Sequence, residues 1–174
     1  MLFMMLEHLL TQRKPAILKK WLNLLLDSYP PESSALFKKS KDRFANPVGH
    51  TTSQEMAAIF DELLKGTDFN QDPFSIDMLI KIRAVQDFSA SEAVSFVFSL
   101  KKVIREELGE MIGEEGVQAE VLALESRIDD LALACFDNYM KSREKIYELK
   151  ANEINERAYM LLKRANILCE IKGS

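Results

Sequence analysis

The sequence predicts an all-α fold: a single compact helical domain with a long C-terminal helix. Three observations carry this. Apolar residues recur at three- and four-residue steps over long stretches. The six Gly and five Pro are few and stand where helices would begin or end. Period-two runs rich in Val, Ile and Thr are absent, so sheet is not expected. A chain of 174 residues, 47% hydrophobic and 29% charged, suits one globular domain with a real core.

The elements follow in order. A first helix is expected from about Leu2 to Arg13. Pro15 suits the first turn of a second, which carries Ile17, Leu18, Trp21, Leu22, Leu24, Leu25 and Leu26 to about Ser28. Pro30 and Pro31 end it, and a short helix from Glu32 to Lys39 follows. The stretch from Lys41 to His50 reads as the least regular, broken by Asn46-Pro47 and Gly49. Thr52 and Glu55 have the spacing of a capping box for a helix to Lys65, with Gly66 as its stop. Pro73 opens a helix that turns Ile76, Leu79, Ile80, Ile82 and Val85 inward. Ser89 and Glu92 make a second capping box, and the helix to about Ile112 is apolar on a wide face, which predicts a central position.

The last helix begins near Val117 and is expected to reach Leu168. Its first part sets Val117, Val121, Leu124, Ile128, Leu131 and Cys135 at four-three steps. A second seam follows in Tyr147, Ala151, Ile154, Ala158, Leu161, Ala165 and Leu168. Between Cys135 and Tyr147 the register slips, as in a stutter. The chain thus divides into a helical body over residues 1–140 and a helical tail over 141–174. Tyr147, Ile154, Leu161 and Leu168 are the candidate interface residues. Zipper or partner helix, fold-back onto the body, and an unstructured tail all remain open.

Charge and cysteine usage narrow the function classes. A net charge of −4 argues against nucleic acid as a partner. From Glu106 to Asp130 there are nine acidic residues and one basic, and from Lys141 onward eight basic and five acidic. Such blocks read first as solvated faces. Cys135 and Cys169 would lie roughly 50 Å apart on one helix, too far for a disulfide. That usage fits the cytoplasm. The apolar start, Met1 to Leu6, is too short to span a membrane and lacks the features of a signal peptide.

No phosphate loop, zinc-type cysteine spacing or nucleophile–base set is visible, so no enzyme, metal or cofactor is expected. Haem would need His8 or His50 as axial ligand, and neither sits mid-helix on an apolar face. Two polar constellations remain. In the first, Arg43, Asn46 and His50 bring a guanidinium, an amide and an imidazole to one turn. It reads either as a pocket for a small anionic ligand or as a structural connection in which Asn46 caps a helix. In the second, Arg83, Gln86 and Asp87 fall at three- and four-residue steps, giving a buried network or a plain surface pair. Lys101, Lys102 and Arg105 read as a solvated rim.

Several of these residues also carry a resemblance. Trp21 with Tyr29-Pro30, the run Asp42-Arg43-Phe44-Ala45-Asn46-Pro47-Val48-Gly49, the segment Ile82-Arg83-Ala84-Val85-Gln86-Asp87-Phe88-Ser89, Ala93-Val94-Ser95-Phe96 and Lys101 together resemble the N-terminal domain family of the RsbT co-antagonist RsbRD. The match covers about residues 5 to 145. It implies a helical sensory or regulatory module of a bacterial signalling system, with a globin-like body lacking haem and a protein partner: itself, as a homodimer, or a signalling protein. Members of this family commonly precede phosphoacceptor-like or kinase domains. Here the sequence ends after the tail, so output is expected to pass through a separate partner. The competing expectation is a standalone accessory or docking protein for an anaerobic or sulfur redox complex.

Overall fold

Helix α1 spans Met4–Asp27 without a break. It is one helix, not two, although Pro15 lies inside it and removes a backbone donor. The reason is packing: Leu6 and Leu10 before Pro15 lie on the same face as Ile17, Trp21 and Leu25 after it, and all five are buried. Burying that stripe outweighs the roughly 3 kcal/mol that a mid-helix proline costs. The N-terminal end of α1 is held from across the molecule. Buried Glu120 accepts a hydrogen bond from the Leu6 amide at 2.9 Å, which puts a carboxylate on the positive end of the helix.

The computed structural model describes residues 4–39, 46–69, 74–86, 88–114 and 116–165. After α1 come α2 (Pro31–Lys39), α3 (Pro47–Lys65), α4 (Phe74–Val85), α5 (Ala90–Leu108), a 3-10 turn (Gly109–Gly113) and α6 (Val117–Arg164). There is no strand among the described residues. Helix α5 is central, packed between α1 and α6, and α6 also lies along α4. Trp21 fixes the α1–α5 contact: its indole nitrogen donates to the Phe96 carbonyl at 2.7 Å and its ring stacks on that of Phe96.

Two helix starts tell different stories. Ser89 caps α5, and the reciprocal bonds with Glu92 make the capping box its spacing predicts. Helix α3, however, starts five residues before Thr52. Asn46 is its cap, accepting from the Gly49 amide at 2.9 Å, with Pro47 in the first turn. Thr52 is buried mid-helix and its hydroxyl has no partner. The asparagine supplies a better cap and proline a pre-set φ, so the helix begins there. It stops at Gly66, whose φ of 77° is left-handed backbone suited to glycine.

Two basic residues of the α5 rim, Arg105 and Lys101, also tie it to α6, while Lys102 stays exposed. Arg105 donates to both carboxylate oxygens of Glu125 at 2.6 and 2.8 Å, and Lys101 meets Asp129 at 2.6 Å. These pairs neutralise part of the acidic face of α6. Hydrogen bonding from Arg105 holds the Glu125 carboxyl below its ordinary range. A carboxyl so depressed stabilises the fold above its unfolded pKa, and that stabilisation is lost as pH falls through the folded value. Arg105→Ala is therefore expected to lower the melting temperature at pH 7 and to have little effect near pH 2. Paired thermal melts check this.

Helix α6 resolves the register slip. Its buried seam, Val117 through Cys135, continues to Tyr139, and packing on the body reaches Ile146. The tail seam does not continue that line. On a helix of 3.6 residues per turn, Tyr147, Ile154 and Leu161 point roughly a third of a turn away from it. The slip is thus a change of face where the body ends. From Tyr147 to Ala165 every residue is exposed, so the tail does not fold back over these positions. Leu168 lies outside the described residues.

Candidate functional site

Arg83 is the centre of the second polar constellation. It sits near the end of α4 with its side chain wholly buried. Its guanidinium lies 4.1 Å from the Phe88 ring centre, 5.5 Å from that of Tyr29 and 5.8 Å from that of Phe96. Such rings attract a cation through their faces. Nη2 donates to Ser28 Oγ at 3.1 Å and to the Glu92 carbonyl at 2.9 Å. Nε and Nη1 are buried with no hydrogen-bond partner. Burial, outweighing the influence of nearby Tyr29 and Glu92, pulls the Arg83 pKa below its ordinary value. Burial in turn pushes the Tyr29 phenol up, against the pull of the Arg83 cation.

The cage is built from three parts of the chain. Tyr29 follows α1, Phe88 lies in the α4–α5 turn and Phe96 belongs to α5. The Tyr29 hydroxyl donates to Gln86 Oε1 at 2.9 Å, and its ring meets the edges of Phe37 and Phe88. Arg83 and Gln86 both reach Tyr29. Helix α4 ends at Val85, and Gln86 reaches the cluster from the turn through Tyr29. Arg83 thus sits in a buried network, with Gln86 exposed at its edge.

Asn46 and His50 belong to a neighbouring site. With Leu22, Leu26, Phe37 and Lys38 they line a groove of about 410 Å³ between α1, α2 and the start of α3. Asn46 is buried and spans the groove's end: its Nδ2 donates to the Phe37 carbonyl at 2.7 Å while its Oδ1 caps α3. The four described candidate residues thus divide between two places, Asn46 and His50 at the groove and Arg83 and Gln86 at the cage. Phe37 and Tyr29 stand between the groove and Arg83. Each bidentate edge of the guanidinium already has its Nη2 hydrogen in use, so a single carboxylate cannot grip it in two-point fashion. Arg43 and Asp87 lie outside the described residues.

The structure adds residues that the candidate set omits. Two side chains of α6 hold the α4–α5 turn. The Tyr139 hydroxyl donates to the Phe88 carbonyl. Arg143 Nη1 donates to the Ala84 carbonyl at 2.9 Å, and its Nη2 donates to the Tyr147 hydroxyl at 2.8 Å. The same guanidinium lies 4.9 Å from the Tyr147 ring centre. Spacing carried a signal here: Tyr139, Arg143 and Tyr147 recur every four residues on one helix face. A Tyr–Arg–Tyr row at the end of the buried seam was a readable polar ladder.

Among the described residues no group of three or more His, Cys, Asp and Glu side chains could hold a metal, and no helix is long and apolar enough to cross a membrane. The class defined by this fold is a helical body with a caged cation, bonded through its last helix to a long exposed extension. Over residues 15–154 the chain matches the RsbT co-antagonist protein rsbRD N-terminal domain, and it belongs to that family. Membership makes it a regulatory signalling module in kind. No curated protein and no solved structure matches the chain.

Proposed function

We propose that this protein is a non-enzymatic sensory module in a bacterial signalling system, with input at the groove and cage and output through α6. One observation carries the reading: the turn that closes the Arg83 cage is the turn that α6 holds. Phe88 covers the guanidinium with its ring and binds Tyr139 with its carbonyl. Ala84, next to Arg83, binds Arg143, and Arg143 binds the first residue of the tail seam. A small ligand in the His50 groove would press on Phe37, which meets Tyr29, which meets the cage. The links are ring contacts up to the cage and side-chain hydrogen bonds to backbone carbonyls beyond it, and the tail seam stands at their end.

Coupling is a claim about free energy, so it needs a measurement of coupling. Amide hydrogen exchange supplies it. Arg143→Ala is expected to speed exchange over residues 139–150 by roughly tenfold while α1 and α3 stay unchanged. Phe88→Ala should reproduce that effect with Arg143 intact and add little to Arg143→Ala. If Phe88→Ala loosens α4 and α5 but leaves residues 139–150 as they were, the turn does not speak to the tail and the relay is wrong. Trp21, the chain's one tryptophan, stacks on a wall of the cage and reports its state by emission.

A further inference from the structure

The groove beside Asn46 has polar walls that the fold leaves unengaged. Its floor is apolar, made by Leu22, Leu26 and Phe37. Asn23 stands on the α1 wall. His50, Ser53 and Gln54 stand on the α3 wall, at the three- and four-residue steps of one helix face. Among the described residues none of these four side chains has a hydrogen-bond partner. The fixed charge on the lining, Lys38, meets Asp27 Oδ1 at 2.5 Å. We infer that this groove takes a neutral, planar ring compound whose edge carries a hydrogen-bond donor beside an acceptor, the pattern of a nucleobase or an aromatic carboxamide. The inference rests on the groove as the input of the sensory module and names what enters it.

The two amides argue for the edge. Each offers N–H donors and a carbonyl acceptor side by side, which matches a donor next to an acceptor on the ligand. Asparagine and glutamine grip the adenine edge through two adjacent atoms in this way. Asn23 and Gln54 come from different helices, so a ring held by both is fixed across the groove. The floor argues for the ring. Leu22 and Phe37 are half-buried, and a flat face laid on them takes their remaining apolar surface out of water. Phe37 also meets the Tyr29 ring edge-on, so a ring settled there bears on a wall of the Arg83 cage.

Other small molecules fit less well. An alkyl chain would cover the floor but strip water from the amides and give nothing back. A carboxylate would lose water without gaining an unmatched fixed cation among the described residues, because Asp27 already holds Lys38. Size sets the upper bound. A groove of about 410 Å³ has the volume of roughly 14 liquid waters, so its occupant has on the order of a dozen non-hydrogen atoms.

Titration of the full chain with adenine, benzamide and benzoate tests this, followed through the side-chain amide signals of Asn23 and Gln54 by two-dimensional NMR. Adenine and benzamide should shift both signals, with Kd on the order of 1 mM or below for fragments this small. Benzoate has the shape of benzamide and carries a charge, so it should bind at least about tenfold more weakly. Asn23→Leu and Gln54→Leu should each weaken adenine by about tenfold or more, read at the amide that remains. Ser53→Phe, which fills the groove, should abolish binding. All three positions are exposed, so Trp21 emission and the melting temperature should hold. Benzoate binding as tightly as benzamide overturns the inference. So does a titration in which neither neutral compound shifts either signal. Adenine binding that persists in Ser53→Phe overturns it too, since the site would lie elsewhere. If adenine binds here but amide exchange over residues 139–150 stays as it was, the ligand class stands and the relay fails. If no compound binds while Phe88→Ala still moves those residues, the relay stands and the ligand class fails.

Discussion

Arg83→Met is expected to stabilise the fold by about 2 kcal/mol, which for a chain of this size raises the melting temperature by roughly 4–8 °C. The sign runs against the usual rule for fully buried residues. Two buried guanidinium nitrogens have no hydrogen-bond partner, and the Glu92 carboxylate acts on the charge only from a distance, being engaged with Ser89. Each unmade bond costs about 1–3 kcal/mol, and a buried ion several more. Against that stand two hydrogen bonds and the ring faces, worth about 1–2 kcal/mol where water is excluded. Removal strands little: Ser28 Oγ still donates to the Leu25 carbonyl, and the Glu92 carbonyl still accepts from Ser95. Methionine fills nearly the same space and suits an aromatic cage. Arg83→Lys, which keeps the charge and loses the planar fork, should instead destabilise. Urea unfolding of the three proteins decides. A loss of more than about 1 kcal/mol in Arg83→Met would show that the cage holds the cation at a net gain, and Arg83 would then be ordinary core.

The stabilised variant should also be deaf. A cage that is strained with its cation in place is one that a signal can tip at small cost. Phe88→Ala and Arg83→Met disturb the same cage in opposite senses, the first loosening it and the second relaxing it. Exchange over residues 139–150 should therefore rise in one and fall in the other. Movement in the same direction in both would report general destabilisation rather than a relay.

Most of the helices were legible because their apolar periods are long, and the best boundaries were those set by local chemistry. The Ser89–Glu92 box and the Gly66 stop lie within a few residues of what they punctuate. Pro15 misleads for the opposite reason. Its effect on a local stretch is strongly unfavourable, yet Leu10 and Ile17 meet the same core, and that gain is invisible until α5 is in place. The Thr52–Glu55 pair has the spacing of a cap but not the position, because Asn46 begins the helix first. The site divides in the same way. Arg83 stands out in sequence as a charge on an apolar helix, but whether it faced inward depended on Tyr29, Phe88 and Phe96, which come together from separate elements. The two seams of α6 were both visible. That they lie on different faces depended on where the body stops covering the helix.

Asn46 and Gly49 give the second large effect, and they act as one unit. Asn46→Ala removes the cap of α3 and the bond to the Phe37 carbonyl, which is expected to cost about 2–3 kcal/mol. Gly49 has a different reason to be glycine from Gly66, since its backbone is ordinary helix. A Cβ there would stand 2.8 Å from Asn46 Oδ1 and overlap the amide nitrogen. The Asn46 side chain folds back over the helix start, and only glycine leaves room for it. Gly49→Ala should therefore push the amide away, break both bonds and cost about 1–2 kcal/mol, even though alanine is the better helix former by about 1 kcal/mol. With Asn46 already replaced, the clash has no second party. Gly49→Ala should then stabilise by up to about 1 kcal/mol, so the same substitution changes sign with its neighbour. A double-mutant cycle by urea unfolding measures this directly. Additive losses would mean that Gly49 serves something other than Asn46. A sign change would show that the end wall of the His50 groove is set by one asparagine and the glycine that makes room for it.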